Sequence, residues 1–394
     1  MNIQNRSFPI NLALLIISTV FAFLLSEMGS RFMGWSPMYV SPERDRFWKY
    51  DSLLGWAHQP GQEGVFETPQ FRTSVSINQK GLRDREHSYE RPQDTSRILV
   101  LGDSFAWGYG VEETQRFSEL LETSMGIEVI NAGVSGYSTD QELLWFKDEG
   151  IKYDMDLIIL VFTGNDIGDN HRQLVNTIYY KPQFIRQEGD LILTGYPVPR
   201  SSSQGKLIYF LSQRSALAYF LVQRYFDLRS IYSNFRVNSV DASSSISTTD
   251  SSGGPSDMRP PSDSSGLTIA LIDEMRNIAK SKDAEFMIVT TDAWWNSPTG
   301  ETYREFIDTL RTAGFLLLDV ESMLGFDPGA MQIPEDGHWN QAGHEFVAKK
   351  IKDFIENNQL LGTGLSDVEI FADTRDKTGG WAAGPDIVEK AKQH

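Results

Sequence analysis

The chain contains no cysteine. That excludes disulfides, thiolate nucleophiles and cysteine-bound zinc. Histidine is scarce, with six residues in all: His58, His87, His171, His338, His344 and His394. Any imidazole base must come from this short set. Basic residues are outnumbered, 36 Lys and Arg against 53 Asp and Glu, leaving a formal net charge of −17. A phosphate backbone needs a Lys/Arg footprint, so nucleic acid is not an expected partner. No Gly-x-x-x-x-Gly-Lys-Ser/Thr loop occurs, and Gly108-Tyr109-Gly110 lacks the third glycine of a dinucleotide fingerprint. The Gly-x-Ser-x-Gly elbow of the α/β-hydrolases is also missing.

Charge is absent from one further place. Between Ser7 and Ser26 no ionisable side chain occurs, and Leu12 to Leu25 is almost wholly apolar. About 20 such residues, at 1.5 Å each, span a hydrocarbon core of roughly 30 Å. Arg6 precedes the run and Glu27 succeeds it. The positive-inside tendency therefore puts the N-terminus in the cytoplasm and the remainder outside, in a periplasmic or extracellular space. A cleaved signal peptide is the rival reading. Leu24-Leu25-Ser26-Glu27-Met28 offers no small-x-small cleavage site, so residues 1–28 are expected to be an uncleaved signal-anchor.

Beyond the apolar run the chain divides by composition. Residues 29–95 form a connecting extension rich in aromatics and turn formers, in which Phe71 to Asn78 alternates like one or two strands. From Arg97 the pattern changes. Ile98-Leu99-Val100-Leu101, Glu128-Val129-Ile130 and Leu157 to Phe162 are short apolar runs, as are Glu285 to Thr290 and Phe315 to Val320. Such runs suit strands covered on both faces, as in a parallel sheet. Between them, Phe117 to Met125 and Gln141 to Glu149 read as helices, and Ala342 to Ile355 closes the series as an amphipathic one. Strand and helix alternate, which predicts a doubly wound α/β sheet over residues 96–361. Residues 167–266 are an insertion, with aromatic helical material at 205–236 and a Ser-, Asp-, Gly- and Pro-rich stretch at 238–266. That stretch has too little apolar surface to repay ordering and is expected to be a disordered linker. Residues 362–394 are left as a C-terminal tail.

In open α/β sheets ligands bind beyond the carboxyl ends of the strands. The first strand ends in Gly102-Asp103-Ser104, the second in Asn131-Ala132-Gly133-Val134-Ser135-Gly136, and the third in Gly164-Asn165-Asp166. After the last comes Glu335-Asp336-Gly337-His338-Trp339-Asn340. A hydroxyl, a glycine amide, a carboxamide, and an acid beside an imidazole are the parts of an acyl-transfer site. Ser104 is the expected nucleophile and His338 its base, because a serine hydroxyl attacks only when a base takes its proton. Asp336 is placed to hold the imidazole in one tautomer. The Ser104 and Gly136 backbone N–H groups and the Asn165 side-chain amide are the expected oxyanion donors.

These blocks resemble those of the SGNH/GDSL hydrolase family. Gly102-Asp103-Ser104 is similar to its nucleophile block, Gly136 to its oxyanion glycine, Gly164-Asn165-Asp166 to its asparagine block, and Asp336-Gly337-His338 to its acid–base block. They occur in the family's order. The resemblance implies a three-layer α/β/α sandwich around a mostly parallel five-stranded sheet, flavodoxin-like in kind. It implies ester hydrolysis or acyl transfer, with no metal and no organic cofactor. Many members place the acid three residues before the histidine, where this chain has Glu335; others place it two before, where it has Asp336.

The implied substrate is an acyl ester, with acetyl a candidate group, on a carbohydrate or lipid, reached by a protein attached to the membrane through its N-terminal helix. Two rival readings are an O-acyltransferase acting on an exported polysaccharide and a catalytically silent binding module. The other residues near the blocks have plainer readings. Asp103 and Asp166 are structural acids, Asn340 caps the last helix, and His344 is a packed histidine. Gly133 is the alternative donor to Gly136. Trp107, Tyr109, Tyr137, Trp294, Trp295 and Trp339 either line a cleft or pack the core.

Overall fold

A computed structural model describes residues 7–41, 43–175, 179–225, 264–295 and 301–361. Most of the expected linker and the whole tail lie outside the described residues. The chain divides into two compact units. Of the described residues, one holds 7–40 and 201–225. The other holds 41–175 (42 aside), 179–200, 264–295 and 301–361 and carries the sheet.

Five strands make that sheet: β1 (Arg97–Gly102), β2 (Glu128–Asn131), β3 (Leu157–Thr163), β4 (Glu285–Thr291) and β5 (Leu316–Asp319). Their order is β5-β4-β3-β1-β2, and every neighbouring pair is parallel. This is the doubly wound order in which the chain starts near the middle and winds outward both ways. The fold is the α/β/α sandwich expected.

Alternation along the strands decides which helix goes where. Leu99, Leu101, Ile158, Leu160, Phe162, Phe286 and Ile288 share one apolar cluster. It includes residues of α3 (Thr139–Asp148), α4 (Ser264–Ser281) and α5 (Tyr303–Thr312). Ile98, Val100, Leu157, Ile159, Val161, Met287 and Val289 face the other way. They meet α2 (Phe117–Met125) and α6 (Gln341–Asn358), which contribute Phe117, Leu121, Val347 and Ile351. Successive strand residues point to opposite faces, so a run apolar at every position must be covered twice. These side chains are almost entirely buried.

Two features went unread in the sequence. The extension forms two antiparallel hairpins, Trp48–Asp51 with Gly55–His58 and Glu63–Glu67 with Arg72–Ser76. From Ser41 onward it belongs to the same unit as the sheet. Only the strand near Phe71 was expected. The insertion also contains a hairpin, Gln183–Gln187 with Asp190–Thr194, turning at Glu188-Gly189. A two-residue turn with Gly is a hairpin signal, but the flanking strands are only five residues each.

Candidate active site

Ser104 opens α1 (Ser104–Trp107) immediately after β1. The turn between them needs Gly102, whose φ is +152° and where a Cβ would lie 2.8 Å from the Ala106 Cβ. The Asp103 carboxylate accepts from the Phe105 N–H at 2.9 Å and fixes the start of the turn. Asp103 is thus a structural acid, as expected. Burial pushes its carboxyl up to about 6, against a counter-effect from the Phe105 amide.

His338 arrives from a loop before α6. The loop closes on itself through the Ile333 N–H to His338 carbonyl bond of 2.8 Å and the Gly337 N–H to Ile333 carbonyl bond of 3.1 Å. His338 Nε2 lies 2.7 Å from the Ser104 Oγ. Its Nδ1 lies 2.5 Å from Asp336 Oδ1, and its backbone N–H donates to the same oxygen at 3.2 Å. Burial pushes the Asp336 carboxyl up, but the His338 hydrogen bond and charge outweigh it and hold it below the ordinary aspartate value. Glu335 is exposed, with φ +63°, and does not share this bond. Both side chains are nearly buried, Ser104 at 7% and His338 at 8% exposure.

The two flanking strand ends carry the remaining residues. Gly133 donates its N–H to the Asn131 Oδ1 at 2.9 Å, so that amide is occupied. A Cβ on Gly133 would also lie 2.4 Å from the Trp107 backbone nitrogen, so this glycine serves close packing on α1. Gly136 sits at the exposed tip of the same loop, with φ +84°. Among the described residues, the N–H groups of Ser104 and Gly136 donate to no protein acceptor. Asn165 lies two residues beyond the end of β3, the strand paired with β1. Its Nδ2 donates to Asp169 at 2.9 Å, which leaves the second amide hydrogen uncommitted. Hydrogen bonds join Ser104, His338 and Asp336 directly. Gly136 and Asn165 are tied to the site by their strand ends alone.

Residues 100–346 match the GDSL-like lipase/acylhydrolase family. The chain belongs to that family. It is a carboxylic ester hydrolase. Several solved structures are similar to it. The esterase EstA of Pseudoalteromonas sp. is 13% identical, with 66% of this chain and 97% of that one covered and a TM-score of 0.35. A family 3 carbohydrate esterase of Clostridium thermocellum is 13% identical over 67% and 96%, with a TM-score of 0.33. A lipase/acylhydrolase of Enterococcus faecalis is 11% identical over 67% and 96%, at 0.34. No curated protein sequence matches the chain.

The aromatics of this GDSL-family hydrolase divide between the two readings open in the sequence. Trp107 and Trp339 are fully buried and Tyr137 is nearly so; they are packing. Tyr109 stacks on the His338 imidazole with ring centroids 4.3 Å apart. Trp294, 45% exposed, meets the same ring edge to face at 4.7 Å. Phe105 closes a third side at 5.0 Å. His344 is buried, accepts the Phe117 N–H at 3.2 Å, and is pushed down to about 3 by that burial and by nearby Arg116 and Arg83. It stays neutral and packed. Asn340 caps α6 by accepting the Gly343 N–H at 3.1 Å.

Sequence reasoning missed what steadies the glycine loop. The Trp56 indole N–H donates to the Ser135 carbonyl at 3.2 Å, and the Tyr137 hydroxyl donates to the Trp56 carbonyl at 2.6 Å. The extension therefore braces the segment carrying Gly136. Elsewhere, Asp84, Glu113 and Glu119 bring carboxylate oxygens within 4.8 Å of one another. Arg116 pairs with Asp84 and Glu119, so these acids already have a countercharge.

Proposed function

We propose that the chain hydrolyses acyl esters through Ser104, His338 and Asp336. The carrying observation is the unbroken line of hydrogen bonds from Asp336 through the imidazole to the Ser104 hydroxyl. In this reading His338 Nε2 takes the Ser104 proton as Oγ attacks the ester carbonyl. Asp336, still ionised, bonds the Nδ1–H, fixes the tautomer and balances the imidazolium charge. The oxyanion is received by the Ser104 and Gly136 N–H groups and the Asn165 amide. His338 then returns the proton to the leaving alkoxide. Water repeats the sequence on the acyl-enzyme, releasing the acid.

The proposed acyl group is short, acetyl foremost; Tyr109, Trp294 and Phe105 pack around His338. The proposed carrier is an envelope carbohydrate or lipid. This choice rests on the N-terminal helix, where Pro9–Phe32 is long and apolar enough to cross a bilayer. We read it as an uncleaved anchor with the sheet-bearing unit outside the cytoplasm, in keeping with Arg6 before the helix. Residues 96–361 form the hydrolase domain in this scheme.

Hydrolysis of an activated acetyl ester tests the reading. Ser104→Ala should lower turnover by about 10³-fold or more, and a fluorophosphonate probe should label Ser104 in the parent chain. Undiminished turnover in the variant would remove Ser104 from the mechanism. Mass spectrometry of polysaccharide incubated with an acyl donor tests water as the final acceptor; an acylated polymer would replace hydrolysis with transfer.

A further inference from the structure

The first unit contains more than the apolar helix. Residues 203–212 and 216–225 form two short helices joined by a tight turn. They are fastened to the end of the N-terminal helix, although almost 190 residues separate them in sequence. The Glu27 carboxylate accepts from the Ser215 hydroxyl at 2.8 Å, the Ala216 N–H at 3.1 Å and the Leu217 N–H at 3.0 Å. It thereby caps the second helix, while Arg31 pairs with it at 2.8 Å. The Met38 N–H donates to the Ser212 carbonyl at 2.8 Å. Trp35 packs on Phe220 and Tyr219, at 5.0 and 6.1 Å between ring centroids.

These contacts fix the level of the two helices. Glu27, Arg31 and Trp35 stand where the apolar run of the N-terminal helix gives way to polar residues. Charged groups and indole rings collect at that depth of a bilayer, the boundary between hydrocarbon and headgroups. Whatever docks on them is held at the same depth.

The surface the two helices leave uncovered suits that position. Leu207, Phe210 and Leu211 are 57%, 48% and 45% exposed, and their spacing puts them on one helical face. Leu221, on the second helix, is 55% exposed. Large apolar side chains clustered this way need a partner. Charge points to its kind. Residues 201–225 contain Lys206, Arg214 and Arg224 and no acidic residue, in a chain whose net charge is −17. The Arg214 guanidinium lies 3.7 Å from the Phe210 ring centroid, so cation and aromatic present one amphipathic edge. Exposed leucines and aromatics bordered by cations match an anionic bilayer surface.

We propose that the helices of residues 203–225 lie on the bilayer at the end of the membrane span and seat the protein there. The inference rests on the reading of Pro9–Phe32 as that span. One part of the insertion is then a second membrane contact, continuous with the first, which fixes the tilt of an otherwise swivelling tether.

The absence of cysteine makes the test direct. Leu211→Cys and Leu221→Cys, each in the full chain, are labelled with an environment-sensitive fluorophore. The labelled proteins are reconstituted into vesicles of phosphatidylcholine and phosphatidylglycerol that carry a shallow spin-labelled lipid. Leu15→Cys reports on the span and Asp308→Cys on the sheet-bearing unit. The expected result is loss of at least half the fluorescence at 211 and 221, with none at 308. Label 15 quenched by a deep spin label, with 211 and 221 as bright as 308, would overturn the seating while leaving the span intact. No quenching at 15 would instead remove the span itself, and the seating with it. Emission at 211 and 221 that shifts to the blue without quenching would mean that protein, such as a second copy, covers the face, and would equally overturn the proposal.

Discussion

Asp336 and Asp166 both stand at sheet ends bordering the site, and they meet opposite surroundings. Asp336 has an imidazole against one oxygen and is held below its ordinary value. Asp166 is wholly buried; the Thr139 hydroxyl donates to one oxygen, and the other has no partner among the described residues. Burial, reinforced by nearby Asp103, drives its carboxyl well above the usual range. Glu142 is more extreme, with both oxygens buried and without a hydrogen-bond partner among the described residues, and with Asp166, Asp103 and Asp140 nearby. Even Asp140, ion-paired with buried Lys181, is raised by burial. The acids thus divide into Asp336, which faces the histidine and is held toward its charged form, and Asp166 and Glu142 behind the strand ends, which burial pushes toward the neutral form. Only the former can orient a base and balance the imidazolium.

Breaking the charged side should have the largest effect. Asp336→Asn is expected to lower kcat by about 10³–10⁴-fold, because the amide no longer selects the productive tautomer. Glu335→Gln should stay within about twofold of the parent, since that side chain lies in solvent. Steady-state hydrolysis of an acetyl ester compares the two. A large loss in Glu335→Gln with Asp336→Asn near the parent would move the acid to Glu335 and undo the contrast drawn with Asp166.

Asn165 precedes Asp166 directly and separates the two roles at adjacent positions. Asn165→Ala should cost about 10²–10³-fold in kcat with little change in KM, as expected for a donor that acts in the transition state. Asp166→Asn keeps the shape of a neutral acid and should leave kcat within a few fold. A larger loss in the second variant than in the first would reverse the assignment.

The neutral side is tested through stability. For Glu142, folded and unfolded chains are both protonated at low pH, and no cost arises. Above the ordinary glutamate range the unfolded chain releases its proton while the folded chain keeps it. The folded state then binds more protons, and stability falls as pH rises, by up to about 1.4 kcal/mol per pH unit for each such group. Glu142→Gln should remove that slope. Urea midpoints at about pH 5 and pH 7 should fall further apart in the parent than in the variant. Parallel pH dependence would mean that Glu142 is ionised in the folded state.

The motifs that locate the site were legible because each is local. An apolar strand that stops at Gly102, Asn131 or Gly164 hands its polar residues to one edge, and parallel pairing does the rest. What is hidden depends on contacts distant in sequence. Trp56 and Tyr137 meet 81 residues apart to brace the glycine loop, and nothing near either residue says so. Glu27 caps a helix almost 190 residues away, so the insertion read only as aromatic helical material. The difference between Asp336 and Asp166 was hidden too, because Asp-Gly-His and Asn-Asp both read as polar loop and only burial separates their charge states.

The smallest effect expected concerns the ring that covers the base. Tyr109 comes just after the Ser104 turn, and its ring lies over the His338 imidazole, whose Nδ1 bonds Asp336. Asp336 holds one axis of the imidazole; a stacked face restrains rotation about that axis. Such aromatic pairs contribute roughly 0.5–1.5 kcal/mol, so Tyr109→Leu should lower kcat by about 2–10-fold and leave KM nearly unchanged. Tyr109→Phe keeps the ring and should restore most of the rate, identifying the face rather than the hydroxyl as the useful part. If phenylalanine fails where leucine fails, the hydroxyl matters, and Tyr109 is no longer a positioning residue that acts through stacking. If neither matters, the acid alone orients the base, and the contrast between Asp336 and the buried acids accounts for the imidazole's position without help from the aromatic wall.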